Sequence, residues 1–140
     1  MTQDAGARTE SAKPAGPQDV VTIKLPAAGA YLSVLRTATA GLAARLDFTL
    51  DDIEDLRMAV GEACALVLEN AAPGGDLYAA FDLSDGSIRV SVSADSMSDA
   101  EPDEDSFGWQ VLTALTSEVL TNREGLLRWV SFTVRSSIAA

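Results

Sequence analysis

Alternating apolar and polar positions over residues 20–25 predict the first strand of this chain. The apolar side chains of one face are Val21, Ile23 and Leu25. Such alternation is typical of a strand with one buried face. Pro26 follows and ends the pattern, because proline cannot donate to a strand ladder. Apolar residues then recur near helical spacing over about residues 27–46, which predicts a first helix.

Thr49 and Asp52 mark the start of a second predicted helix, over residues 50–71. A threonine followed three residues later by an acidic side chain is typical of a capping box at a helix N-terminus. An apolar stripe continues behind it from Leu50 to Val67. The helix should end before Pro73-Gly74-Gly75, because these residues interrupt regular structure.

Turn residues divide the rest of the chain into two hairpins and a helix. The predicted elements are strands at 77–83 and 87–93, a helix at 107–117, and strands at 118–121 and 126–135. Asp85-Gly86 forms the first turn, since this dipeptide favours tight hairpins, and residues 122–125 form the last. This order favours an α+β fold, a two-layer sandwich of a mixed, mostly antiparallel sheet with helices on one face.

Length and composition indicate one domain. The chain has 140 residues, of which 47% are hydrophobic, enough for one core and too few for two. We assign the domain to residues 19–135, between a disordered N-terminal tail at 1–18 that is rich in small and polar residues and a short C-terminal tail at 136–140. We expect a cytoplasmic protein with no membrane segment, since no apolar run reaches membrane-spanning length.

Charge and residue usage exclude several kinds of function. The formal net charge is −11, which argues against direct nucleic-acid binding and favours a basic protein partner. The chain contains no histidine, so histidine-dependent triads and histidine metal sites are excluded. Cys64 is the single cysteine, and its apolar helical surroundings indicate a core residue. Six acidic residues between Asp95 and Asp105 form a stretch that we call the acidic loop, and we expect repulsion among their charges to keep it solvated and extended.

Glu62 is a single carboxylate among small and apolar residues of the second predicted helix. It lies within the run Asp55-Leu56-Arg57-Met58-Ala59-Val60-Gly61-Glu62-Ala63-Cys64. Leu66 follows four residues later, on the same helix face. A second motif, Ser106-Phe107-Gly108-Trp109-Gln110-Val111-Leu112-Thr113-Ala114-Leu115, occurs downstream.

These two motifs, in this order and layout, resemble the ATP-binding anti-sigma kinases of the RsbW/SpoIIAB family. The resemblance covers residues 19–135 and is closest to the divergent UsfX-like members. It implies the GHKL (Bergerat) ATPase fold. It also implies transcription regulation, as in a stress response, by sequestration of an alternative sigma factor and release by an anti-anti-sigma protein of the STAS type.

The resemblance assigns roles to several residues of a degenerate nucleotide site. Glu62 stands where the family has its catalytic base, and Asp95 and Gly108 match residues of the ATP-binding loops. Leu66 stands where the family has the asparagine that holds magnesium, and a leucine side chain offers Mg²⁺ no oxygen. We therefore expect no ATP or Mg cofactor and weak or absent kinase activity. Trp109 is a candidate to fill the volume that nucleotide would need.

The resemblance also supplies the partners. Arg36 aligns with an arginine that the family uses to contact its sigma factor, and family members form homodimers. The leading interpretation is an anti-sigma factor. One alternative is an active ATP-dependent serine kinase that phosphorylates the anti-anti-sigma factor, with Glu62 as base. Another is a generic binding module that shares only the sandwich fold.

Overall fold

A computed structural model describes residues 19–138 of the chain. The predicted tail at 1–18 lies outside the described residues. The element order agrees with the sequence pattern: β1 Asp19–Pro26, α1 Leu32–Ala43, α2 Leu50–Leu68, β2 Asp76–Ser84, β3 Ser87–Asp95, α3 Phe107–Leu115, β4 Ser117–Glu124 and β5 Leu127–Arg135. Within residues 19–138, no helix is both long and apolar enough to cross a membrane.

The strands form one five-stranded sheet in the order β1-β2-β3-β5-β4. All four strand pairings are antiparallel. The sequence predicted a mixed, mostly antiparallel sheet, and the word mixed is therefore wrong. The reason is the connectivity: β2–β3 and β4–β5 are hairpins, and the segment between β3 and β5 brings the chain back in the opposite direction. Gly86 has a φ of 73° in the first hairpin turn, a backbone conformation that glycine adopts without strain.

Helix boundaries differ from the prediction where backbone contacts compete with the helix. Helix α1 begins only at Leu32, after a short 3₁₀ turn at Gly29–Tyr31. Helix α2 ends at Leu68 rather than at residue 71, because Ala71 forms an antiparallel bridge with Ser96. The bridge between Ala71 and Ser96 links distant segments, so the local apolar pattern did not indicate the end of α2.

The core lies between the helices and one face of the sheet. The largest fully buried side chains include Leu35 of α1, Leu56 and Val60 of α2, and Phe81 and Phe132 of the sheet. Strands β2 and β3 alternate strictly between buried and partly exposed residues over most of their length, as expected when one face is covered. The α+β sandwich predicted from the sequence is thereby confirmed.

Asp52 joins the start of α2 to the end of the chain. It completes a capping box with Thr49, and the Thr49 amide donates to its carboxylate at 3.0 Å. The Ser137 amide and hydroxyl both donate to the same carboxylate oxygen at 3.0 Å. These hydrogen bonds lower the pKa of Asp52, with the Ser137 amide as the largest cause. Residues just beyond β5 are thus hydrogen-bonded to the domain.

Candidate functional site

Glu62 lies where α2 meets α3. Its carboxylate packs against Gly108: a Cβ atom added to Gly108 would lie only 2.7 Å from Glu62 Oε1. Gly108 belongs to the first turn of α3, whose N-cap is Ser106. The N-terminal end of a helix favours negative charge. Glu62 and Gly108, which the sequence assigned to separate motifs, are therefore in direct contact.

Arg36 crosses from α1 to α2 over another glycine. A Cβ atom added to Gly61 would lie 2.6 Å from Arg36 Nη2 and 2.9 Å from Nε. The guanidinium group therefore occupies the space above Gly61. Gly61 thus leaves room for the Arg36 guanidinium group, a role that was not predicted from the sequence. Burial raises the pKa of Cys64 to about 12, and the positive charge of Arg36 opposes part of that increase.

Arg36 and Glu62 line one open cleft, which we call the Arg36 cleft. Its volume is about 240 Å³, and its lining side chains are Arg36, Glu54, Arg57, Met58 and Glu62. Arg57 donates to Glu54 at 3.0 Å, while Arg57 Nε is buried without a hydrogen-bond partner among the described residues. Met58 is half exposed, at 52%. The cleft thus combines two guanidinium groups, two carboxylates and one apolar side chain.

Leu66 lies one helical turn beyond Glu62, beside a different and much smaller cavity. That cavity, which we call the loop cavity, measures about 20 Å³ and is lined by Leu66, Val67, Glu69, Asn70, Ser96, Ala100, Glu101, Pro102 and Arg128. Such a volume holds about one water molecule, whereas ligand pockets measure about 300–1,000 Å³. Across residues 19–138, no three side chains of the kinds that bind metals come together. As these side chains are arranged, the loop cavity has no room for a nucleotide.

The acidic loop closes the loop cavity from outside. The Met97 amide donates at 2.7 Å to the carbonyl of Asn70, two residues beyond the end of α2, and the Ala100 carbonyl accepts from Arg128 Nη2 at 3.0 Å. The acidic composition alone predicts a loop kept extended by charge repulsion. Instead, arginine side chains from the last hairpin hold it against α2.

Asp95, which the resemblance matches to an ATP-binding loop, lines neither cavity. It is the last residue of β3 and is exposed, and its backbone carbonyl accepts from the Ala72 amide at 2.8 Å. The structure therefore brings Arg36, Glu62 and Gly108 together and leaves Asp95 outside that group.

Arg128 is the residue of this region that the sequence analysis missed. It is only 4% exposed and lines the loop cavity, where Trp109 had been expected to fill space; Trp109 is half-buried on α3 and does not line it. A signal was present in the sequence. Arg128 has the same period-2 phase as the core residues Val130, Phe132 and Val134, and an inward-facing arginine requires partners.

Comparison with known proteins gives relatives named serine-protein kinase RsbW. The chain is 31% identical over 80 residues to the protein named serine-protein kinase RsbW of Bacillus thuringiensis strain Al Hakam, covering 56% of this chain and 50% of the relative. RsbW of Bacillus anthracis matches with the same identity and coverage. The chain thus spans about half the length of the curated relatives that it matches. No protein-family model matches the chain.

A solved structure shares the fold. It contains the RsbU and RsbW domains of a Mycobacterium tuberculosis protein, and it matches with a TM-score of 0.67 and 22% identity over 85% of this chain and 32% of that one. The resemblance that Glu62 and its neighbours indicated is confirmed: the chain is similar in sequence to the RsbW kinases over 80 residues and shares its fold with a solved structure that contains an RsbW domain.

Proposed function

We propose that the chain is an anti-sigma factor that sequesters an alternative RNA polymerase sigma factor by docking, without nucleotide-dependent catalysis. One contrast carries the proposal. The Arg36 cleft is open, at about 240 Å³, whereas the loop cavity beside Leu66 is closed, at about 20 Å³. A protein partner could reach the first, but a triphosphate does not fit the second. Similarity to the RsbW kinases supports the choice of a sigma factor as partner.

Arg36 is the proposed main contact with the sigma factor. It is partly buried, and its guanidinium group packs on Gly61, so part of its side-chain entropy is already lost before binding. Within residues 19–138 it forms no ion pair. Arginine is enriched among residues that dominate binding energy at interfaces. An acidic group of the partner would therefore find an Arg36 guanidinium group that has no ion-pair partner among the described residues.

The remaining features of the proposal follow the family. A STAS-type anti-anti-sigma protein would compete for an overlapping surface and release the sigma factor, the chain would act as a homodimer, and it would work in the cytoplasm. The outward carboxylates of the acidic loop would assist approach of a basic partner, since long-range charge complementarity accelerates association.

Affinity purification tests the anti-sigma role. The tagged chain, expressed in its own host, should retain a sigma factor in stoichiometric amount, and the purified pair should give a dissociation constant by calorimetry. Arg36→Ala should weaken binding about tenfold or more, the usual scale for an interface hot spot. Recovery of no sigma factor would contradict the proposal, and an unchanged constant in the variant would contradict the role of Arg36.

An active kinase is the second candidate, and one observation favours it. The Glu62 carboxylate, which the family uses as base, lines the open Arg36 cleft. We expect no transfer of labelled phosphate from ATP to a STAS partner. Transfer that disappears in Glu62→Ala would instead establish the kinase.

A further inference from the structure

Two arginines face each other directly across the last hairpin. Arg123 of β4 and Arg128 of β5 are register partners. Their side chains are only 18% and 5% exposed. Like charges at directly opposed strand positions destabilise the pairing, and charged groups removed from water require compensating partners. This pair therefore needs a source of negative charge and hydrogen-bond acceptors.

Four consecutive residues of the acidic loop provide most of those acceptors. Arg123 donates from Nη1 to the Ser98 carbonyl and pairs with Asp99 at 3.2 Å. Arg128 donates to the Ala100 carbonyl at 3.0 Å and pairs with Glu101 at 3.4 Å. Carbonyl and carboxylate groups thus alternate along residues 98–101, and each guanidinium group receives one of each kind.

The hairpin itself supplies the other two polar contacts. Arg123 Nε donates to the Gly125 carbonyl at 2.9 Å, and Arg128 Nη1 lies 3.5 Å from Thr121 Oγ1. Both of these acceptors are neutral. The negative charge near the two guanidinium groups therefore comes from Asp99 and Glu101, which are separated from their arginines by more than twenty residues.

We propose that Arg123 and Arg128 form an oxyanion-binding site whose occupant is the chain's own segment 98–101. Occupation of this site holds the acidic loop against α2. The same segment leads into Pro102, which lines the loop cavity with Leu66, and it follows Met97, whose amide binds the Asn70 carbonyl. The space beside Leu66 is therefore closed by an internal anionic ligand, and this goes beyond the anti-sigma role.

The occupant is held reversibly. The side chains of Asp99 and Glu101 are 95% and 73% exposed, so water can replace them and each ion pair contributes only a modest free energy. The arginines are the fixed, buried part of the site, and the loop is the exchangeable part. Neutralising the two carboxylates should therefore loosen the loop without unfolding the domain.

Amide hydrogen exchange of the variant Asp99→Asn/Glu101→Gln tests the site. Exchange at Met97 and Ala100 should become about fivefold faster, the scale of losing weak ion pairs. The matched control is Glu104→Gln/Asp105→Asn, which removes the same charges from the same loop at exposed residues that do not contact the arginines. Unchanged exchange in the first variant, or equal acceleration in both, would overturn the proposal.

Arg128→Met provides a second and independent variant. Methionine can fill similar apolar volume without a charge, so α2 amides should keep their protection while Met97 and Ala100 exchange faster than in Asp99→Asn/Glu101→Gln. A loop that remains as protected as in the parent chain would show that Arg128 does not hold it. Neither measurement involves a sigma factor, so failure here and failure of the anti-sigma role are distinguishable.

Discussion

The Arg36 guanidinium group packs directly on the backbone of Gly61: a Cβ atom on residue 61 would lie 2.6 Å from Arg36 Nη2. Glycine within a helix is destabilising by about 0.5–1 kcal/mol relative to alanine. Gly61 lies in the middle of α2, so this intrinsic penalty applies to it. The contact explains why a glycine stands there, because any larger residue would displace the guanidinium group.

Gly61→Ala should separate stability from sigma binding. The atoms that obstruct the new methyl group belong to the end of a flexible side chain, so Arg36 should move while the helix remains intact. We expect the free energy of unfolding to stay equal or rise by up to about 1 kcal/mol, because alanine favours the helix. Affinity for the sigma factor should fall about tenfold, as for Arg36→Ala. Urea unfolding and calorimetry measure the two effects.

Gly41→Ala is the matched control for that substitution. Gly41 lies within α1, and a Cβ atom there would meet nothing within 4 Å. It should give the gain in helix stability without any change in affinity. The double variant Arg36→Ala/Gly61→Ala should bind no more weakly than Arg36→Ala alone, because both changes remove the same contact. Additive losses would contradict the positioning role of Gly61.

The effect of Gly108→Ala on the free energy of unfolding should change sign when Glu62 is replaced by alanine. In the parent chain the new Cβ would lie 2.7 Å from Glu62 Oε1, and we expect a loss of up to about 1 kcal/mol of unfolding free energy, because the carboxylate must move away from the positive end of α3. In a Glu62→Ala background the same substitution should gain up to about 1 kcal/mol, because alanine favours a helix over glycine. Urea unfolding of the four proteins gives the coupling energy; a value near zero would mean that Glu62 is not seated on Gly108.

The lowered pKa of Asp52 predicts that the folded chain loses stability in acid. Its pKa is lowered in the folded chain, chiefly by the Ser137 amide, so it contributes stability above its unfolded pKa of about 3.9. That contribution disappears as the pH falls through the lower, folded pKa. Asp52→Asn should therefore lower the unfolding free energy near neutral pH and flatten its decrease below about pH 4.

The control for Asp52 is its neighbour in the same helical turn. Asp51 is exposed, and within residues 19–138 it accepts no hydrogen bond from Ser137. Asp51→Asn should leave the acid dependence close to that of the parent chain. Urea unfolding across the acid range distinguishes the two variants. Identical profiles would mean that Asp52 does not contribute to the acid dependence of stability.

The fold was predictable from the sequence because its elements have local signals. The capping box at Thr49, the Asp85-Gly86 turn and the alternation along β2 and β3 each depend on neighbouring residues. The contact between Glu62 and Gly108 was partly predictable, since the two motifs were recognised. Their direct apposition depends on the packing of α3 on α2, which no local pattern encodes.

The closed loop cavity could not be predicted, because the contacts that close it are distant in sequence. The bond from Arg128 to the Ala100 carbonyl joins residues 28 apart. Local charge counting found six acidic residues in the loop and predicted repulsion, but it did not include arginines from the last hairpin. Gly61 was missed for a similar reason, since its role depends on how α1 lies across α2.

Leu66→Asn should not restore nucleotide binding. The substitution returns an amide oxygen to the position where the family holds magnesium. However, the cavity beside it measures about 20 Å³, and a nucleotide needs a pocket of several hundred Å³. We therefore expect no saturable heat in calorimetry with Mg-ATP for either the parent chain or the variant, with a Bacillus RsbW kinase as the positive control. Saturable binding by Leu66→Asn would mean that the missing ligand alone, rather than the loop held by Arg128, keeps ATP out.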